Sequence, residues 1–228
     1  MTAIFQPIFI SGQLGSATGT VLIDKSGSNT KVNPDFLPTK TVLDLYDQTN
    51  DLRFAAYFKK GSMNFSSGSP QLYYCSKYPG NPLYCTGNTQ FINAPKILRI
   101  AEMYLILAEA YKESNDETNA LSYLNALRSK RIAGYTDQTY SGTALTNEIR
   151  KERQRELYME GYRLWDLKRY GIGLSGRTPQ DGTYVYQNGG ANSTEISKEA
   201  SDFRFVWPIP THEINANPQM KDQQNEGY

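Results

Sequence analysis

The chain contains a single histidine, His212, so no site that needs two imidazoles can be assembled from it. Charge of one sign is also missing. With 24 basic and 23 acidic side chains the net charge is +1, which leaves no basic field to hold a nucleic-acid backbone or an anionic membrane surface. No apolar run approaches the ~20 residues that span a bilayer as a helix. The opening stretch, Met1 to Ile10, has no basic n-region and no lipid-accepting Cys, so any export signal is expected outside this chain. Cysteine is scarce, with only Cys75 and Cys85.

What is present is enough apolar residue for a real core, 39% of 228 residues, and 17 tyrosines. A tyrosine gives a flat apolar face with a polar tip, suited to sugar and peptide surfaces, although core packing outweighs a binding role for any one of them. Up to about Thr39 the chain reads as extended pieces punctuated by glycine. Thr39 then caps a short helix carrying Val42, Leu45 and Tyr46 on one face. Asp51 to Phe58 has strand-like aromatic content, and Gly61 to Pro70 reads as a loop. Leu72 to Cys85 has turn residues in its middle and apolar arms, which predicts a hairpin centred near Gly80. In that register Cys75 faces Cys85, close enough for a disulfide, with free thiols as the alternative.

Helical periodicity is strongest from Asn93-Ala94-Pro95 onward, where Ile97, Ile100, Ala101, Tyr104, Leu105, Ala108 and Tyr111 recur at three-four spacing. Ser114 to Glu117 fits a capping box, and Ala120, Leu121, Leu124 and Leu127 continue the pattern to Gly134. The two helices predict an antiparallel hairpin like one tetratricopeptide unit, which cannot bury its faces alone. A third, charge-dense helix is expected from Thr143 to Glu160, continuing or restarting through Arg163 to Tyr170. Its carboxylates and guanidiniums are read as structural ion pairs, with Arg153, Glu156, Glu160 and Arg163 tying the helix to neighbouring loops. Trp165 and Trp207 read as core, and His212 as a surface or capping residue.

Three separated stretches then resemble one family, the SusD/RagB outer-membrane nutrient-binding lipoproteins. Ile97 to Tyr111 (ILRIAEMYLILAEAY) carries the recurring Ala-Glu pattern. Glu152 to Gly171 (ERQRELYMEGYRLWDLKRYG) is similar to the family's Glu-Arg-x-Arg-Glu-Leu, Glu-Gly and Asp-Leu-x-Arg series. Trp207 to Tyr228 (WPIPTHEINANPQMKDQQNEGY) is similar to its Pro-Ile-Pro, Asn-Pro, Gln-Asn and Gly-Tyr ending. The resemblance implies a mainly α fold: a SusD-like C-terminal region with a tetratricopeptide-like hairpin, long loops and a few short strands. Residues 1–228 are expected to form one such domain, a fragment of a longer protein whose helical repeats, signal peptide and lipid-anchor Cys lie elsewhere.

The same resemblance implies no catalysis and no cofactor or metal. The expected role is capture of an oligosaccharide, or another nutrient such as a peptide, at the outer-membrane surface for a SusC-like TonB-dependent transporter. A transporter-docking role with the ligand site elsewhere is the alternative, and glycoside hydrolysis by the Glu148 to Arg169 carboxylates is the enzyme alternative. Loop aromatics and amides are the candidate ligand contacts: Phe65, Tyr73, Tyr74 and Tyr84 with Asn64, Gln71 and Asn81. Because alternate side chains on a strand point to opposite faces, Tyr73 and Tyr74 cannot both serve, and one should pack inward.

Overall fold

The computed structural model describes residues 3–5, 31–32, 34, 36–63, 65, 68–79, 96–184 and 197–228. It divides into two compact units, residues 1–161 with 178–186, and residues 162–177 with 187–228.

In the first unit, β1 (Ala3–Phe5) pairs antiparallel with β5 (Leu98–Arg99). A second sheet has the order β2-β3-β4, formed by Lys31–Val32, Phe58–Met63 and Gln71–Cys75. The β3–β4 pair is antiparallel, with Lys60 opposite Tyr73 and Ser62 opposite Gln71. The helices are α1 (Lys40–Leu43), α2 (Leu52–Tyr57), α3 (Ile100–Glu113), α4 (Glu117–Arg128) and α5 (Gly142–Glu156). Thr39 caps α1 as expected, accepting from the Val42 amide at 3.2 Å.

Residues 51–58 correct the strand reading. Asp51 accepts from the Arg53 amide at 2.9 Å and caps a helix, α2, so the aromatic residues fall on a helix face and not on a strand. The strand comes next, at Phe58, where a loop is expected from Gly61 onward. Tyr46, Phe54, Tyr57 and Phe58 then form one buried aromatic cluster, with Tyr46 and Phe58 edge to face at 5.3 Å. Among the described residues four tyrosines are buried: Tyr46 and Tyr57 here, and Tyr74 and Tyr78 in a cluster with Met63 and Leu72.

α3 and α4 pack as the expected hairpin, and α5 joins them around Ala108, Ala120, Leu124, Leu145 and Ile149. Small Ala108 and Ala120 let the backbones approach, and each fully buried leucine contributes roughly 1.5–3 kcal/mol. The start of α3 differs from its sequence reading. The chain is still strand at Leu98–Arg99, α3 begins at Ile100, and Asn93 and Pro95 lie outside the described residues. Its buried stripe is Ala101, Leu105 and Ala108, which leaves Ile100, about 100° around the helix from Ala101, exposed and Tyr104 only half-buried. The cap of α4 is Asp116, two residues after Ser114, and Asn115 supplies the left-handed turn at φ 63°.

α5 does not run on to Glu160. It ends at Glu156, and positive φ at Met159 (57°) and Gly161 (86°) turns the chain away. The carbonyls left unpaired by this stop are met by side chains from elsewhere in the unit. Tyr46 Oη donates to Arg155 O at 2.8 Å, Arg99 Nη2 to Glu156 O at 3.0 Å, Lys77 Nζ to Tyr158 O at 2.7 Å and Tyr78 Oη to Met159 O at 2.7 Å.

The second unit contains α6 (Arg163–Tyr170), α7 (Thr211–Ala216) and 3₁₀ turns at Phe203–Phe205 and Pro218–Gln223. Its last residues fold back on the Trp-Pro-Ile-Pro stretch. Gln224 bonds both the amide and the carbonyl of Ile209, at 2.8 and 3.1 Å, Asn225 donates to Trp207 O, and Tyr228 Oη donates to Val206 O. A Cβ at Gly227 would lie 2.5 Å from the Phe203 ring, so only glycine fits that contact. Trp165 and Trp207 are not core: they are 61% and 76% exposed. On α6 the buried residues are Asp166 and Leu167, which puts the neighbouring Trp165 on the opposite side. His212 is exposed, beside Glu213.

Candidate functional site

Two constellations stand out in the first unit, and one of them disqualifies itself as chemistry. Glu152, Glu156 and Glu160 follow one another at intervals of four and meet cations that are distant in sequence. Arg53 Nη1 donates to Glu152 at 2.5 Å and to Glu156 at 3.0 Å. Arg128 reaches Glu152 at 3.1 Å, and Arg99 and Arg131 reach Glu156 at 2.9 Å. Glu160 accepts from Arg99 at 2.8 Å and from Lys77 at 2.5 Å. Glu152 and Glu156 are wholly buried. Burial alone would raise the Glu156 carboxyl, but the Arg131 hydrogen bonds and the Arg53 charge outweigh it and hold the group at about 2. Such a carboxylate has no proton to give at neutral pH. Arg153 is buried, whereas Arg163, expected to join this set, is an exposed residue of the second unit.

The other constellation is the outward face of the β3–β4 ladder. The bonds Ser76 N to Tyr57 O and Met63 N to Pro70 O fix the pairing, so the amide and carbonyl of Tyr73 point away from β3, to the open edge of the sheet. Gln180 closes that edge. Its Oε1 accepts from Tyr73 N at 2.8 Å while its Nε2 donates to Tyr73 O at 2.8 Å and to Pro38 O at 2.8 Å. A side chain here does what a neighbouring strand would do. The Tyr73 ring rests edge to face on Phe54 at 5.3 Å and carries the Lys60 ammonium 5.5 Å from its centroid. Gln71, exposed, and Ser62, half-buried, pair one step further along the same face.

Among the sequence candidates, Tyr73 and Gln71 are therefore brought together, and Tyr73 is half-buried with its ring held in place. Tyr74 is the inward one. It is 7% exposed in a cluster with Met63, Leu72, Cys75 and Tyr78, and so is removed from the ligand contacts. Phe65 is half-buried and packs on Tyr184 at 5.7 Å. Asn64, Asn81, Tyr84 and Cys85 lie outside the described residues, as does the centre of the expected hairpin. The first arm of that hairpin is β4, whose described partner is the preceding strand. Cys75 carries a free thiol, buried, with its pKa raised by that burial. Sequence reasoning missed Lys60 and Gln180. The Lys59-Lys60 pair beside an aromatic strand was a visible signal for the first, whereas no local pattern announces an amide that acts 107 residues away.

Residues 18–228 match the SusD family. SusD-like protein P25 of Formosa agariphila is 31% identical over 137 residues, which cover 58% of this chain and 24% of that protein. Starch-binding protein SusD of Bacteroides thetaiotaomicron is 31% identical over 135 residues, 58% of this chain and 21% of the relative. Among solved structures, a SusD superfamily protein of Bacteroides thetaiotaomicron aligns with a TM-score of 0.63 at 31% identity, over 82% of this chain and 40% of that one. One from Parabacteroides distasonis gives 0.68 at 21% identity, over 99% and 50%. The matched part is thus a quarter or less of these two curated relatives. The mainly α architecture with few short strands is that of these structures.

Proposed function

The chain belongs to the SusD family, and from that premise we propose that it is part of a cell-surface protein that captures glycans and hands them to a SusC-like TonB-dependent transporter in the outer membrane. One of its relatives supports a glycan as the nutrient, by its name as a starch-binding protein.

The observation that carries the reading is the Tyr73 face. A ring fixed from below by Phe54 and along the backbone by Gln180 offers an apolar surface to a sugar C–H face at little cost in lost freedom, with the Gln71 amide and Lys60 ammonium beside it for hydroxyls. Binding without turnover fits the acidic residues as well. The Glu152 and Glu156 carboxylates are locked by arginines, and a general acid needs a raised pKa where Glu156 has a depressed one.

Affinity electrophoresis against a polysaccharide panel tests this: Tyr73→Ala should weaken retardation while leaving the melting temperature within a few degrees. Unchanged retardation would move the ligand site off this face. A second reading, docking on the transporter, draws on the exposure of Trp165 and Trp207, since exposed tryptophans are common anchors of protein interfaces.

A further inference from the structure

We propose that the Tyr73 face is built for an acidic saccharide, with the Lys60 ammonium pairing with a ligand carboxylate or sulfate ester while the sugar ring lies on Tyr73. The inference rests on the reading of this face as the glycan site and goes on to the class of glycan.

Lys60 and Tyr73 are directly opposed across the antiparallel pair, so their side chains share one face, and the ammonium lies 5.5 Å from the ring centroid. Lys60 is exposed, as is Lys59 before it, and among the described residues neither has a carboxylate within ion-pair distance. Among the described residues of this unit, Lys40, Lys77, Lys112 and Lys151 each meet an acidic side chain, whereas Lys59, Lys60, Lys96 and Lys130 do not; of these four, Lys60 is the one set across from the braced Tyr73 ring. The rest of the face offers no negative charge either. Among the described residues of the strand pair its other members are Ser62, Gln71 and Tyr73, with Phe58 and Cys75 buried at one end, and Gln180 braces it from the edge.

The cation stands over a ring that cannot swing away, because Phe54 holds one side and Gln180 fixes the backbone at both the amide and the carbonyl. A ligand with an anionic substituent on its sugar ring meets both groups at once. The ring gives stacking and the ammonium gives a charge-assisted hydrogen bond, while Gln71 and Ser62 remain for neutral hydroxyls. A neutral sugar would leave the ammonium to water. The face therefore discriminates by charge.

The test uses matched pairs across several backbones: oligogalacturonate with its methyl ester, and a sulfated galacto-oligosaccharide with its desulfated form, titrated by calorimetry into the wild-type chain. At least one acidic member should bind more tightly than its neutral partner, and the pair that shows this identifies the anion as carboxylate or sulfate. Lys60→Gln should reduce the preference by about fivefold, the upper range for an exposed ion pair, whereas Lys60→Arg should keep it. The preference should also shrink as salt is raised to 1 M. Equal binding of charged and neutral members, or a preference that survives Lys60→Gln in a chain with unchanged circular dichroism, overturns the inference. If Tyr73→Ala still weakens capture in that case, the glycan reading stands without it. Wild-type protein that binds no member of any pair overturns both.

Discussion

Glu156→Gln removes one charge and almost no volume, so its effect isolates what the buried ladder contributes. In the folded chain the Glu156 side chain faces Arg53, Arg99 and Arg131 at 2.9–3.0 Å and is wholly buried. The amide would keep one acceptor but turn its NH2 toward guanidinium donors, leaving the buried Arg53 and Arg99 and the half-buried Arg131 short of an anion. Breaking a buried pair in this way typically costs about 3–5 kcal/mol. Linkage gives a similar figure. A carboxyl moved from 4.5 to about 2 contributes roughly 3 kcal/mol at neutral pH. For a chain of this size that lowers Tm by roughly 6–20 °C in differential scanning calorimetry at pH 7. The sign with pH is fixed as well. A depressed folded-state pKa gives stability that is present above the unfolded value and lost as pH falls toward the folded one, so the wild-type advantage should fade between pH 4.5 and about 2. A variant that melts within a degree of wild type at pH 7, or a difference that persists unchanged to pH 2, would refute the ladder as a stabilising element.

Leu105→Ala empties a site with no solvent exposure and should cost about 2–5 kcal/mol, read as a shift in the urea midpoint with an unchanged slope. Tyr74→Ala should destabilise the fold, because Tyr74 packs with Met63 and Leu72, whereas Tyr73→Ala should chiefly weaken glycan retardation; the opposite assignment would mean that the strand is read in the wrong phase. Cys75 should resist maleimide in the native chain and take up label after unfolding without reductant; no label after unfolding would restore the Cys75–Cys85 disulfide.

The α3–α4 hairpin was legible because burial of one face imposes a 3.6-residue period that survives any tertiary context. The short α2 was not. Its Phe54, Ala55, Ala56, Tyr57 run has the aromatic content of a strand, and only the Asp51 cap decides for helix. Charge spacing was legible in part: Glu156 and Glu160 do tie the end of the helix to other segments, as expected, but their partners were not readable from it. Acidic and basic residues three and four apart from Glu148 onward read as pairs that satisfy one another along a helix, and Glu148 with Lys151 and Glu152 with Arg155 do so. The stronger partners, Arg53 and Arg99, come from segments 99 and 57 residues away, a distance that no local pattern encodes. At the candidate site, period-two alternation assigned Tyr73 and Tyr74 to opposite faces but could not tell which face was core. That depends on which side of the sheet the Met63, Leu72 and Tyr78 cluster occupies.

The near-zero net charge of the sequence conceals how that charge is arranged, and the arrangement connects the ladder with the site. Asp51, Glu148, Glu152, Glu156 and Glu160 are taken up by Arg53, Arg99, Arg128, Arg131, Arg155 and Lys77, so this cluster of charges is nearly self-neutralising and points inward. Anions sequestered there are not available to compensate cations on the surface. Lys59 and Lys60 stand on β3, immediately after the α2 helix whose Arg53 is bound into the ladder, and they keep their charge for solvent or for a ligand. A neutral composition therefore says little about the potential over any one face. In the first unit the same residue types serve opposite ends. Guanidiniums with their planar forks fill the interior, where several hydrogen bonds to one carboxylate offset the cost of desolvation. A flexible ammonium stays outside at Lys60, beside a braced ring, where its charge is free to select what binds.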